Sequence, residues 1–331
     1  MQEPYEVRPA RPGDLSEIVE LLRTCLGQGG VPRTIEFWRW KHERNPFGES
    51  PVLVAEAGGR IVGLRAFLRW TWRAGGRDVP AVRAVDTATH PHWRGRGVFS
   101  RLTRELADRL AREGTAFVFN TPNRRSRPGY LEMGWRPAGR LPLFVRLFPT
   151  GVVQRPDGLP EDDATVAELL AHEGIPDFLA ALERSRDDGR FHTPATPAYL
   201  RWRYAEAPGL LYGAAWATGD EAAAAIVYRL RRRWGLRELS MSEVLAAPHP
   251  ESIARAADLV EEVADAAAVH HAVAVAAPGT PEHAALRRAG FRRVPNAGPR
   301  LFVRELSPTE ALPDLRNPAS WRPSTGSFEL F

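Results

Sequence analysis

Apolar positions along the first 150 residues fall into short alternating runs and helix-period runs, separated by glycine and proline. Residues 5–10 predict a short strand. Asp14 opens a helix, with Glu17 three residues later as in a capping box. Leu15, Ile18, Val19 and Leu22 follow at i, i+3, i+4 and i+7, and Gly27 suits the C′ position. Thr34 caps a second helix, carrying Phe37, Trp40 and Lys41, that ends before Asn45-Pro46. Pro51–Glu56, Arg60–Arg73 and Arg77–Thr89, divided by Gly58-Gly59 and Gly75-Gly76, predict a three-stranded antiparallel meander. A helix from Val98 to about Glu113 carries Leu102, Leu106 and Leu110 on one side. A short apolar strand, Ala116–Asn120, and a short helix over about Ser126–Met133 come next. Two final strands begin at Trp135 and at Leu143–Leu147.

The second half repeats the first. Thr34, Phe37, Arg39, Trp40 and Pro46 have counterparts at Thr196, Tyr199, Arg201, Trp202 and Pro208, each 162 positions on. Leu143-Phe144-Val145-Arg146 recurs as Leu301-Phe302-Val303-Arg304, Gly134-Trp135 as Gly290-Phe291, and His90-Pro91 as His249-Pro250. The order is preserved, which predicts two copies of one fold divided by the Pro149–Asp163 segment.

Bulk properties narrow the class of protein. At 331 residues the chain suits two domains, and 44% hydrophobic with 26% charged residues suits a soluble one. No apolar run is long enough to span a membrane, and the first residues lack the pattern of a secretory signal. Cys25 is the only cysteine, on the apolar side of the first helix, so it predicts a buried thiol and a cytoplasmic protein. The net charge is +5, nearly all of the positive charge being arginine, since Lys41 is the only lysine. That excess suits an anionic cofactor as well as RNA.

Candidate chemistry concentrates at Val85–Phe99. A strand ends at Pro91, a basic glycine-rich turn follows, and a helix begins. Such a turn leaves backbone N–H groups unpaired at the positive end of a helix dipole, a site for phosphate. Arg94 and Arg96 add charge-assisted hydrogen bonds to the anion. The second copy has Pro250-Glu251-Ser252-Ile253-Ala254 there, and Glu251 would repel a phosphate.

This succession of elements resembles the GNAT N-acetyltransferase fold. Val7-Arg8-Pro9-Ala10 with Asp14-Leu15 is similar to that family's opening strand and helix. Arg94, Gly95, Arg96 and Gly97 match its acyl-CoA motif, with Phe99 where a small residue is usual. Asn123, Ser126, Tyr130, Gly134 and Trp135 resemble its later Asn-x-x-Ala…Tyr-x-x-x-Gly-Phe pattern. The resemblance implies an α/β (α+β) protein of two tandem domains, each a mixed, mostly antiparallel sheet flanked by helices. Residues 1–150 would be catalytic, and 151–331 a degenerate copy that shapes the acceptor site.

The resemblance further implies acetyl-CoA or another acyl-CoA as co-substrate and no metal. Its contacts would be Thr87, Ala88, Thr89, Arg94, Gly95, Arg96, Gly97, Val98, Phe99, Ser100, Asn123 and Ser126, with the backbone of Thr87–Thr89 pairing the pantetheine arm beyond a splay of two central strands. Tyr130 would protonate the departing thiolate, and a backbone N–H near Thr89 would polarise the thioester carbonyl. Asp86 is the first choice of base, with His42, His90 and His92 as alternatives. The carboxylate of Phe331 is a further candidate by resemblance to aminoglycoside-modifying acetyltransferases. The acceptor would be a primary amine of a small molecule or peptide, with neither nucleic acid nor membrane as partner and an oligomer left open. Two other functions stand beside this one: a non-catalytic acyl-CoA sensor, and an aminoacyl-tRNA-dependent peptidyltransferase on a similar tandem fold. The intact phosphate turn argues against the second. Trp70 and Trp72, sharing one face of a strand, are candidates to line the core or the acceptor pocket.

Overall fold

Two sheets carry the chain, and each takes one strand from the other half of the sequence. The computed structural model describes residues 4–27, 31–148, 164–219, 222–308 and 312–328. The first half runs β1 (Glu6–Pro9), α1 (Leu15–Leu26), α2 (Ile35–His42), β2 (Val52–Ala57), β3 (Arg60–Ala74), β4 (Arg77–Thr89), α3 (Val98–Arg112), β5 (Phe117–Asn120), α4 (Arg127–Glu132), β6 (Arg136–Arg140) and β7 (Leu143–Leu147). The second runs α5 (Val166–Ala171), α6 (Ile175–Ser185), α7 (Pro197–Leu200), β8 (Gly213–Ala217), β9 (Ala224–Arg233), β10 (Leu236–Ala246), α8 (Pro250–Ala266), β11 (His271–Val275), α9 (Pro281–Arg288), β12 (Arg292–Arg293) and β13 (Arg300–Glu305).

One sheet has the order β1-β2-β3-β4-β5-β13-β6, the other β12-β7-β11-β10-β9-β8. Reversed, the second order matches the first strand for strand after β1, with β7 standing in it where β13 stands in the first. The repeated Leu-Phe-Val-Arg segments are therefore reciprocally exchanged. Phe302 pairs with Asn120 and Pro137, and Phe144 with Ala274 and Arg293. The expected division at residue 150 thus does not divide the sheets, and the Pro149–Asp163 segment lies outside the described residues.

The same reciprocity holds at the tryptophans 162 positions apart. Trp40 Nε1 donates to the Trp202 carbonyl (2.6 Å), and Trp202 Nε1 donates to the Trp40 carbonyl (2.8 Å). Their rings stack 5.4 Å apart. Arg146 on β7 lies against Gly290, and Arg304 on β13 lies against Gly134. Equivalent residues meeting each other across the junction are what a two-fold relation between copies produces.

Local chemistry explains most element boundaries. Thr34 caps α2 by accepting from the Phe37 N–H, and Thr196 caps α7 by accepting from the Tyr199 N–H. Trp38 and Trp40 enter different cores from opposite sides of α2. Val98, Leu102, Leu106 and Leu110 form the buried stripe of α3. The start of α1 departs from expectation. Asp14 is held by Arg8 (2.6 Å) and accepts from the Arg11 N–H, whereas Glu17 accepts from the Ile61 N–H. A nearby guanidinium and a strand N–H outcompeted the capping box. Trp70 and Trp72 are buried between the sheets, Trp70 donating to Thr193 Oγ1 (3.0 Å), so they belong to the core and do not line an open pocket.

Candidate functional site

The site forms where β4 and β5 part. They pair in parallel over Ala81–Arg83 and Phe117–Phe119 only. From Ala84 onward β4 keeps β3 on one side and, among the described residues, has no partner strand on the other, so the edge of Thr87, Ala88 and Thr89 is free for an added strand. A bulge shifts the register here: Ala66 pairs with Val85 and Arg65 with Thr87, leaving Asp86 unpaired at φ +34°.

The edge leads into the basic turn. Gly95 and Gly97 have φ +76° and +75°, a left-handed backbone that side-chain-bearing residues resist. No side chain caps α3, whose first intrahelical bond is accepted by the Gly97 carbonyl from the Arg101 N–H (2.9 Å). The N–H groups of Val98, Phe99 and Ser100 therefore have no partner within the helix, and they open toward the turn. Arg96 lies over the Trp93 ring (4.6 Å), and Arg94 Nε reaches the Thr89 carbonyl (3.4 Å). Cys25 is half-buried and donates to that same carbonyl (3.3 Å); burial pushes its thiol up. This arrangement fits the diphosphate of an acyl-CoA, with the β4 edge left for the pantetheine arm.

Tyr130 on α4 is buried beside the first turn of α3. Its ring meets Phe99 edge-on (5.5 Å) and lies against Trp135 (5.2 Å). Phe99, which departs from the usual small residue, also packs beside Gly129 and helps to wall in the phenol. The phenol oxygen accepts an N–H from Arg65 Nη2 on β3 (2.9 Å). Arg65 carries no motif and is absent from the sequence-based set.

Asn123 and Ser126 serve each other. Asn123 Oδ1 accepts from the Arg125 and Ser126 N–H groups and from Ser126 Oγ, which starts α4. Asp86 Oδ2 is shared by Lys41 Nζ (2.8 Å) and His42 Nε2 (2.9 Å). Burial pushes this carboxyl up, but the charge of Lys41 and the His42 contact outweigh it and hold it well below the usual carboxylate range. A carboxylate so paired has a low affinity for a proton and orients Lys41 and His42. His90 and His92 stay together at the turn, 5.2 Å apart. Phe331 lies outside the described residues.

The second sheet has the same architecture with its opening filled. β10 and β11 pair over Glu238–Ser240 and His271–Val273, and a bulge leaves Ser242 extra, as Asp86 is in β4. Beyond that point Thr325 Oγ1 accepts from the Val275 N–H (3.2 Å), and Ser324 donates to Glu243 (3.0 Å). Arg322 and Arg186 clasp Glu282. The start of α8 is closed as well: His249 accepts from the Glu251 N–H, and Ser252 Oγ bridges Ala223 and Ala247. Among the described residues no cluster of His, Cys, Asp or Glu could hold a metal ion, and no helix is long and apolar enough to cross a membrane.

These features define a GNAT fold. Residues 6–138 match the family model described as an acetyltransferase (GNAT) domain. Among solved structures, a GCN5-related N-acetyltransferase from Anabaena variabilis superposes with TM-score 0.65 at 12% identity, covering 92% of this chain and 73% of that one. An Enterococcus faecalis protein of unknown function, titled a probable N-acyltransferase, gives TM-score 0.65 at 14% identity over the same shares. A GCN5-related N-acetyltransferase from Kribbella flavida gives 0.58 at 18%, covering 92% and 71%. These likenesses extend the fold over both halves. No curated protein matches the chain.

Proposed function

We propose that the protein transfers an acetyl or other acyl group from acyl-CoA to a primary amine of a small molecule or peptide. One observation carries this: the open β4 edge runs straight into the uncapped start of α3, with the buried phenol of Tyr130 beside that start. Val98, Phe99 and Ser100 bind the diphosphate through backbone N–H groups, and Arg94 and Arg96 add charge. Thr87–Thr89 line the pantetheine arm, and a backbone N–H near Thr89 polarises the thioester carbonyl. The amine nitrogen bonds to the carbonyl carbon, the C–S bond breaks, and sulfur takes the proton of Tyr130. His42, held against Asp86 through Nε2 (2.9 Å), takes the amine proton. The second half, its own opening filled, shapes the acceptor side, and the protein works in the cytoplasm.

The test is a thiol-release assay over a panel of amino sugars, antibiotic amines, amino acids, peptides and polyamines, with acetyl-CoA and longer donors. Turnover of at least one amine is expected, and Gly95→Asp with Gly97→Asp should abolish acyl-CoA binding. Unchanged affinity in that double variant refutes the site. Normal binding with no turnover of any amine favours a sensor.

A further inference from the structure

Arg65 is fully buried at the mouth of the opening, without a carboxylate. It pairs with Thr87 on the far side of the bulge, beyond the last β4–β5 pair at Arg83–Phe119, so it stands at the level where the strands have parted. One N–H group goes to the Tyr130 oxygen (2.9 Å). Nε and Nη1 have no hydrogen-bond partner among the described residues, and no described ion pair includes Arg65. Its other neighbours are ring faces: Phe67 at 4.6 Å, Phe99 at 5.8 Å and Tyr130 at 5.5 Å.

A buried guanidinium with two idle N–H groups is costly to the fold. Two other buried arginines show the contrast, since Arg186 and Arg322 are both tied to Glu282. The rings hold the Arg65 cation in place and give it nothing to neutralise it. The missing negative charge has to come from whatever enters the opening. In the proposed reaction negative charge develops at the sulfur as the C–S bond breaks, beside the same phenol that Arg65 already holds.

We infer that Arg65 is the counter-charge of the departing CoA thiolate and the positioning residue of Tyr130. Through Nη2 it fixes the phenol oxygen, so that the phenol proton points away from the guanidinium and toward the sulfur. Through Nε and Nη1 it stabilises the electron pair left on sulfur until that proton arrives. Fixed donors aimed at developing charge in a dry site are an effective way to lower a barrier. The inference deepens the proposed acyl transfer and rests on it.

The test measures the thiol of CoA bound to the whole protein by the ultraviolet absorbance of its thiolate across a pH series. This readout needs no turnover and no amine. In the wild type the bound thiol should ionise below the value of free CoA titrated in the same buffer. Arg65→Met should return it to that value, Arg65→Lys should keep part of the shift, and Tyr130→Phe should leave it in place. In turnover, Arg65→Met should lower kcat by about 10²-fold with KM for acetyl-CoA little changed. Identical thiol titration in the wild type and in Arg65→Met, or in Arg65→Gln should the methionine variant fail to fold, overturns the inference and leaves acyl transfer standing. A loss confined to carboxylated acyl donors also overturns it, by making Arg65 a reader of the acyl chain. Failure of CoA to bind the wild type refutes the proposed function and the inference with it.

Discussion

The strand exchange makes a prediction that an ordinary two-domain chain would not. Phe302 belongs by sequence to the second half but is buried in the core of the first sheet, with Val118, Trp135 and Leu106. Phe144 belongs to the first half and is buried in the core of the second, with Val260 and Phe291. Truncating a buried phenylalanine to alanine costs about 3–5 kcal/mol, from lost transfer energy and the cavity left behind. That is a large part of the roughly 5–15 kcal/mol that holds a protein folded. Phe302→Ala and Phe144→Ala should therefore each lower the denaturant midpoint strongly. Amide exchange then locates the damage. Phe302→Ala should deprotect β5 and β6, the neighbours of β13, and Phe144→Ala should deprotect β11 and β12, the neighbours of β7. If Phe302→Ala instead opened β11 and β12 and spared β5, each strand would stay with its own half and the exchange would be wrong.

Three further outcomes are expected. Trp40→Phe keeps the stack on Trp202 but leaves the Trp202 carbonyl without its donor, a loss of about 1–3 kcal/mol read by chemical denaturation; an unchanged midpoint would show that the contact carries no energy. Asp86 is held below its unfolded value of about 3.9, so its ion pairs stabilise the fold above that pH and lose their effect as the pH falls through the lowered value. The melting-temperature gap between the wild type and Asp86→Asn should narrow on acidification, and a gap independent of pH would contradict the pairing with Lys41 and His42. Glu243 has the opposite sign. Burial pushes its carboxyl up despite the hydroxyls of Tyr199, Tyr204 and Ser324 that donate to it and the charge of Arg186 nearby. Its contribution is full below the unfolded value of about 4.3 and is lost as the pH rises through the raised value, so Glu243→Gln should gain on the wild type as the pH is raised above about 4.3; a constant difference would argue against a raised carboxyl.

Much of the fold was legible because its signals are local. The Thr34 cap, the glycine-divided meander and the leucine stripe of α3 each follow from neighbours a few residues apart. The phosphate turn was legible for the same reason. The strand exchange was not, because alternation says which face of a strand is buried and not which strand lies beside it. The 162-residue spacing showed that Trp40 and Trp202 are equivalent, and only the fold shows that they touch. Arg65 had no signal at all: it is one arginine in a strand that also carries Arg60, Arg69 and Arg73, and its partner Tyr130 is 65 residues away. Asp86 stands out in the sequence by its position on β4, but its two basic partners come from α2, and no local pattern links them to it.

The two openings explain why one fold, present twice, keeps a ligand site once. Both sheets part after three parallel pairs, and both carry a bulge two or three residues beyond the last of them. A parted pair of strands buries backbone groups that need partners, so an opening has to be filled by ligand or by protein. In the second sheet protein fills it. Thr325 takes the Val275 N–H, Ser324 joins the hydroxyl cluster on Glu243, and Arg322 satisfies Glu282, while His249 and Ser252 close the helix start. Among the described residues the equivalent demands in the first sheet are left open: the β4 edge has no strand, α3 has no side-chain cap, and Arg65 has no anion. Arg65 links them, since it pairs with Thr87 on the edge, lies against Phe99 at the start of α3 and donates to Tyr130. The polar groups that the second copy satisfies internally are the ones the first copy holds ready for a phosphate, a pantetheine arm and a thiolate.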